Sequence, residues 1–405
     1  MTILAAARQR YTLLLAFACF FAMGTVNSML GVAWPSIRAT FGLPLDALVA
    51  LLMVSTIGYV LGSVLTAPLV ARIGVGWAVL LMNLLSTAGL VGYVLAPSWG
   101  SLVAFGLLSG WAGGMMSTTL NIYVAATRTV RTMNWMHASF GVGASIGPLL
   151  MTAIVTTGVS WRLGYAIGAF VHLGLALLYL TVVRTLTFRS ISPATADDPS
   201  ARPAPMRATL RLPIVWLSIL LFLLYTGVES TAGQWTYTWF TEARAASAYL
   251  AGAMTSVFWA MLTAGRVVFG AGAARIGVAR LLRLSMMGTV LATALLLVRS
   301  LPIGFVAIAL MGLSLSAIFP TLTAQTPQRV GARHAGNVIG LQSSAASIGL
   351  AVLPGLAGTI AARVGLEVLG PFLVFSSLLM LLVNQLAVVS LRRQGAALET
   401  VAGDL

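Results

Sequence analysis

The chain has 405 residues, of which 59% are hydrophobic and only 8% are charged, far from the roughly 25% of charged residues in a soluble globular domain. This balance leaves too few polar residues for a water-facing surface, so it excludes a soluble protein. The formal net charge of +15 comes entirely from arginine, because the chain contains no lysine.

Long apolar runs follow one another along the chain, and each is long enough to cross a hydrocarbon core of about 30 Å as a helix. The runs are continuous and not alternating, which favours helices over a barrel, because each helix satisfies its own backbone hydrogen bonds in lipid. The first run is too long for a signal peptide, so we expect it to be retained. Twelve runs are predicted to span the membrane, at about 11–35, 47–70, 76–97, 100–126, 134–158, 162–183, 212–240, 247–272, 279–298, 301–323, 335–362 and 366–391.

The arginines are distributed unequally between the two sides of these predicted spans. With the N-terminus inside, eighteen lie in the inner connections, tails and nearby helix ends, Arg266 among them, and five lie outside. This bias predicts that both termini are cytoplasmic. We expect a multi-pass protein of the plasma membrane, here a bacterial inner membrane, and no nucleic-acid partner.

Short words of sequence recur half a chain apart. The pentapeptide ARIGV begins at residue 71 and again at 274, and the polar segment 184–211, with four prolines, lies between the two copies. Two further pairs keep nearly the same offset: ASIG at 144–147 and 346–349, and Val26, Asn27, Ser28 and Gly31 with Val228, Glu229, Ser230 and Gly233. The pattern predicts an internal duplication, with halves at 1–183 and 212–405 joined by a linker at 184–211.

The repeated loop resembles the G-x-x-x-D-R-x-G signature of the major facilitator superfamily. The first copy reads APLVARIG from residue 67 and the second GAGAARIG from residue 270, and both have alanine where the signature has aspartate. The resemblance implies twelve transmembrane helices in two pseudo-symmetric six-helix halves, related by an axis along the membrane normal. It also implies a gating role for Arg72 and Arg275.

Three stretches resemble the fucose, glucose and galactose symporters of that superfamily: MNWMHASFGVGASIGP in helix 5, YTGVESTAGQW in helix 7 and FPTLTAQTP in helix 10. The resemblance implies transport of a sugar together with protons. Members of this group often carry a carboxylate in helix 1 and another in helix 4, four residues before an asparagine. Here Ser117 occupies the helix 4 position before Asn121, and helix 1 has no acidic residue.

Glu229 is the one acidic residue predicted to lie well within a span. An ionised carboxylate in hydrocarbon is costly, so such a residue usually faces a cavity or a partner and marks an ion or proton path. We therefore predict that Glu229 couples transport to protons, and the alternative is a neutral glutamic acid in a helix contact. Its counterpart in the first half is Asn27, which we expect to contact the solute.

Large polar and aromatic side chains inside the spans provide the other candidates. An amide offers both donors and acceptors to a hydroxylated solute, and an indole suits the apolar face of a sugar. For each, interhelical bonding or packing is the alternative. The predicted solute-binding residues are Asn27, Ser117, Asn121, Gln234, Trp235 and Gln342, and His137 is assigned to gating with Arg72 and Arg275.

Other chemistry finds no support. The chain lacks a His, Cys and carboxylate cluster with metal-ligand spacing and a nucleotide-binding loop with lysine, so we expect no cofactor, metal or enzymatic activity. The predicted function is proton-coupled, alternating-access transport of a small polar solute, a sugar or sugar-like compound, by a monomer in the bilayer. Efflux of amphipathic drug-like compounds, passive uniport and a non-transporting sensor remain the alternatives.

Overall fold

The structure is a computed structural model that describes residues 3–181, 183 and 204–403. Within these ranges, the side chains of residues 3–9, 130, 270–276 and 392–403 lie outside the description. Most of the predicted linker, residues 184–203, also lies outside it. The division at 184–211 therefore stays a prediction.

Twelve long helices make up the described fold. The stretch Leu48–Leu95 contains two of them, because Gly74 has a non-helical backbone conformation in its middle. A single turn of helix at Met206–Leu210 precedes α7. The helices are α1 (Ile3–Phe41), α2 (48–73), α3 (75–95), α4 (Trp99–Thr127), α5 (Val130–Thr156), α6 (Arg162–Leu180), α7 (Pro213–Glu242), α8 (Ala248–Ile276), α9 (Val278–Leu295), α10 (Leu301–Val330, interrupted after Leu315), α11 (Ala332–Val364) and α12 (Leu369–Gly403).

These helices fit the membrane-spanning prediction. Ten described helical stretches are long and apolar enough to cross a bilayer, and one of them, Leu45–Leu95, is 51 residues long and contains both α2 and α3. The helix α4, with 29 residues, has the length of a further span. The prediction of an all-α membrane protein with twelve helices in two six-helix halves is confirmed.

The two copies of the ARIGV loop have the same backbone geometry. Gly74 has φ of 81° and Gly277 has φ of 85°, in the left-handed region that glycine enters without a Cβ clash. Each glycine breaks the helical path, between α2 and α3 in the first half and between α8 and α9 in the second. The recurring word thus marks the same turn in each half.

Small residues let helices within the first half approach closely. A Cβ at Gly143 or Gly147 of α5 would collide with the carbonyl oxygens of Phe21 and Thr25 of α1. The glycines of the GVGASIG run therefore serve close packing between α1 and α5.

Contacts between the halves gather at the side of the molecule opposite the start of α1. At this side α1 meets α7, α5 meets α8 and α2 meets α11. A Cβ at Gly31 would lie 2.7 Å from the carbonyl oxygen of Gly233, and Arg38 Nη2 donates to both carboxylate oxygens of Glu242 at 2.9 Å. This side of the molecule, which we call the closed side, joins the two halves.

Towards the side where α1 begins, the facing surfaces of the halves become exposed. Asn27, one turn before Gly31, is exposed, and so is His137, one turn before Gly141, whose added Cβ would collide with Thr263 of α8. The helix α11 exposes Gly336, Gly340 and Ser343 along one stripe, a composition that suits a watery cleft better than lipid. The halves therefore enclose a cleft that opens towards the side carrying the start of α1.

We expect Gly31→Ala to destabilise the protein, because the added methyl would press on backbone atoms of Gly233 and Gln234 that have little freedom to move. A loss of about 1–3 kcal/mol in the free energy of unfolding is expected for such overpacking, measurable as a lower melting temperature in detergent. Gly174→Ala in α6 is the matched control, because an added Cβ there has nothing within 4 Å. Equal melting temperatures for the two variants would contradict the close contact of α1 with α7.

Candidate functional site

The cleft ends where the halves come together, and four polar side chains lie at that level. Asn27 and Glu229 each precede by one turn a glycine of the α1–α7 contact, Gly31 and Gly233. His137 precedes the α5–α8 contact by one turn, and Arg266 follows it by one turn along α8. The helices α1, α5 and α7 run in one direction and α8 runs in the opposite direction. A residue before the contact on α1, α5 or α7 and a residue after it on α8 therefore lie on the same side, so all four positions lie just on the cleft side of the closed contacts.

Glu229 lies at the closed end of this cleft, on the second half. Its side chain is 12% exposed, and the Tyr225 hydroxyl donates a short hydrogen bond to Oε2. Tyr225 precedes Glu229 by four residues, so the two side chains share one face of α7. The guanidinium of Arg266 lies 3.7 Å from the same carboxylate oxygen and also contacts the Tyr225 hydroxyl.

Arg266 is a candidate site residue that sequence reasoning missed. It was counted with the arginines near inner helix ends, but it lies inside α8, ten residues before Ile276, and faces Glu229. The count is corrected accordingly, and the direction of the charge bias is unchanged. The available signal was its position between apolar residues in TAGRVVFG, where a lone arginine in a span calls for an acidic partner.

The first half presents its own polar groups. The Asn121 amide donates to the Ser117 hydroxyl at 3.4 Å, and Asn121 Oδ1 lies 3.2 Å from His137 Nε2. The imidazole packs edge-on against Phe20 with ring centroids 5.3 Å apart. His137 and Arg266 each lie one turn from the same contact, between Gly141 of α5 and Thr263 of α8. The structure thus brings three predicted site residues, Ser117, Asn121 and His137, into one chain of contacts.

Two further polar atoms on the second half lack partners. Gln234 Oε1 and Trp259 Nε1 are buried and have no hydrogen bond to any described residue. A buried polar group without a partner is costly, by about 1–3 kcal/mol. Both belong to helices at the closed end of the cleft, α7 and α8, and Trp259 touches Gly233. An unpaired acceptor and an unpaired donor therefore lie at the contact between the halves.

Two predicted solute-binding residues occupy helix contacts instead. Trp235 is 1% exposed and its indole donates to the carbonyl of Pro354 in α11 at 2.9 Å. Gln342 is 3% exposed and exchanges hydrogen bonds with the Thr326 hydroxyl at 3.0 and 3.1 Å. Both side chains are satisfied within the second half, and our proposal below leaves them out.

The predicted gating arginines lie away from this level. Arg72 is exposed, two residues before the Gly74 turn. Arg275 lies at the end of α8, and its side chain is outside the described part of the chain. Their gating role stays a prediction.

A fold of two six-helix halves around a cleft, with Glu229 and Arg266 at its closed end, is typical of membrane transporters of the major facilitator type. The Major Facilitator Superfamily model matches residues 16–354, and the chain belongs to this family.

Individual relatives are distant. The chain is 24% identical over 272 residues to Bypass of stop codon protein 6 of Saccharomyces cerevisiae, covering 62% of this chain and 54% of that protein. It is 26% identical over 159 residues to the Glucose/mannose transporter GlcP of Bacillus subtilis, covering 38% of this chain and 39% of that one. The chain thus spans about half or less of the length of these curated relatives.

Solved structures match the fold over nearly the whole chain. A variant of the nucleoside transporter NupG superposes with a TM-score of 0.76 at 12% identity, covering 94% of this chain and 99% of that one. A bacterial homolog of the human lysosomal transporter Spinster, inward-facing and occupied, superposes with a TM-score of 0.70 at 15% identity, covering 96% and 97%. At these identities the likeness concerns the fold.

The Glu229–Arg266 contact predicts non-additive effects on stability. We expect Arg266→Met to lower the free energy of unfolding by roughly 1–3 kcal/mol, less than the about 3–5 kcal/mol of a fully buried pair, because Arg266 is a third exposed. Adding Glu229→Gln should restore part of this loss, since it removes the unpaired carboxylate. Denaturation of the two single variants and the double variant measures the coupling, and additive losses would show that the two charges do not interact.

Proposed function

We propose that the protein is a proton-coupled secondary transporter of a small polar solute, a sugar or sugar-like compound, that works by alternating access. The observation that carries the proposal is the Glu229–Arg266 pair at the closed end of a cleft that opens to one side. Glu229 is the acid that a proton can reach from the open cleft. Coupling then follows if the carboxyl gains and loses its proton as the cleft opens to each side in turn.

The solute would lie between the halves at the level of this pair. Asn27, Ser117, Asn121 and Gln234 supply donors and acceptors of the kind that sugar hydroxyls use, and the ring of Phe319 packs beside Tyr225, with centroids 5.8 Å apart. The names of two matched proteins, a glucose/mannose transporter and a nucleoside transporter, agree with a hydroxylated solute. These side chains define the proposed solute site.

Alternating access requires that the closed side open in the other state. Opening would separate Gly31 from Gly233 and break the Arg38–Glu242 ion pair. Because the arginine bias predicts cytoplasmic termini, we propose that the open cleft faces the cytoplasm, as in an inward-open state, and that the protein works as a monomer in the plasma membrane. Arg72, Arg275 and His137 would then lie on the side that closes when the transporter opens outward.

The test is transport by purified protein in liposomes, after a thermal-shift screen of sugars and polyols has found a ligand that stabilises the fold. We expect Glu229→Gln to abolish accumulation driven by a pH gradient, because an amide takes up no proton, while exchange of labelled for unlabelled solute continues. Asp46→Asn, at an acid in the turn before α2, is the matched control and should behave like the wild type. Normal accumulation by Glu229→Gln would remove Glu229 from coupling.

A further inference from the structure

The two members of the Glu229–Arg266 pair are unequally available to a ligand. The Arg266 side chain is 33% exposed and that of Glu229 is 12% exposed. Glu229 already accepts the hydrogen bond from Tyr225. The guanidinium of Arg266 contacts the Tyr225 hydroxyl, but it lies 3.7 Å from the nearest carboxylate oxygen, beyond hydrogen-bonding distance.

The Arg38–Glu242 ion pair at the closed side shows the geometry of a fully hydrogen-bonded arginine and carboxylate in this protein. There, Arg38 Nη2 reaches both oxygens of Glu242 at 2.9 Å. An arginine has five N–H donors in a planar fork that matches a carboxylate. Arg266 therefore faces the cleft with donor capacity that Glu229 does not use.

The charges of the pair can change in one direction only. Arginine stays protonated, whereas a glutamate can take up a proton. The pair can therefore carry a net charge of zero or plus one, and it has no accessible state of minus one. Adding a proton leaves the arginine charge without compensation in a site of low dielectric constant, which favours entry of an anion.

The surrounding described residues add no negative charge at this level. His137 of α5 lies at the level of the pair and could only add positive charge, and Tyr225 is the titratable neighbour on α7 itself. On the described parts of the other helices that pack against α7, the ionisable side chains lie at helix ends, apart from Cys19, which bonds to Asn83 inside the first half. Those at the ends are Arg10, Tyr11, Arg38, Arg207, Tyr249, Arg329, Arg333, His334, Arg363 and Glu367, which lies in the turn before α12.

We infer that the solute is an anion, a small hydroxylated carboxylate such as a sugar acid, whose carboxylate binds Arg266 while Glu229 holds the co-transported proton. The inference rests on the proposed function and names its solute class. The empty site, with Glu229 ionised and Arg266 charged, has no net charge. The loaded site, with protonated Glu229, charged Arg266 and the bound anion, also has none.

This balance explains how coupling is enforced. The state with a proton and no solute carries an uncompensated arginine charge, and the state with solute and no proton carries two anions beside one cation. Both are disfavoured in a closed, poorly hydrated site. The empty and fully loaded transporters are the two forms that can reorient, so one proton moves with one anion and no net charge crosses the membrane.

Glucose and glucuronate provide a matched pair of probes, because they share the pyranose ring and differ in the carboxylate. Each is added outside liposomes that hold the wild-type protein and a trapped pH dye, with the membrane potential set by a potassium gradient and valinomycin. We expect glucuronate to drive proton entry at a rate that is independent of the membrane potential. Glucose should drive proton entry at least about tenfold more slowly, because it lacks the carboxylate and loses the charge-assisted contact with Arg266.

Variants separate the roles of the two residues. Because its amide imitates the protonated acid, Glu229→Gln should bind glucuronate at pH 8 about tenfold or more tightly than the wild type does, without further change as the pH falls. The double variant Glu229→Gln with Arg266→Gln has no unpaired charge to disturb folding. We expect it to lose glucuronate binding in a thermal-shift assay while keeping a cooperative melting transition.

The outcomes distinguish failure of the anion assignment from failure of the proposed function. Proton entry with glucose that is accelerated by an interior-negative potential, without entry with glucuronate, would overturn the anion assignment and leave the proposed function standing. Flux of either probe without protons would overturn both. No flux or stabilisation with glucuronate or gluconate would also overturn the anion assignment, and so would unchanged glucuronate binding by the double variant.

Discussion

A carboxylate held within a membrane-spanning helix needs a partner, and in this protein the partner is Arg266. The two charges come from adjacent helices of the second half, α7 and α8, and lie where the open cleft meets the closed contacts. The two side chains are not fully enclosed, because Arg266 is 33% exposed and Glu229 is 12% exposed. The site thus combines the low dielectric constant that makes charge balance decisive with the access that proton transfer requires.

The two halves share a scaffold, and the candidate site lies where their residues differ. Gly74 and Gly277 preserve one turn in both halves, and Gly31 and Gly233 meet at the α1–α7 contact. One turn before these contact glycines, the first half has Asn27 and the second has Glu229. A symmetric pair of acids would bring two negative charges to the cleft, whereas the amide leaves one proton site, which agrees with the coupling of a single proton that we propose.

The twelve helices and the intramembrane position of Glu229 were predictable, because hydropathy indicates which segments cross the membrane and Glu229 lies near the middle of a long apolar run. The direction in which a side chain points was not predictable in the same way. Trp235 and Gln342 lie in spans as expected, but their rotation about the helix axis directs them to Pro354 and Thr326. Arg266 was missed for a related reason, since its distance from the helix end depends on how far α8 continues beyond it.

Proton uptake on solute binding tests the central claim most directly. Glucuronate, adjusted to the same pH, is added to purified protein in weakly buffered detergent solution, and the proton change is measured with a pH dye. If Glu229 is protonated as the anion binds Arg266, the wild type takes up as much as about one proton per bound anion, at a pH where the empty site is ionised, and Glu229→Gln takes up none while still binding. Binding without proton uptake by the wild type, or equal uptake by Glu229→Gln, would contradict the account.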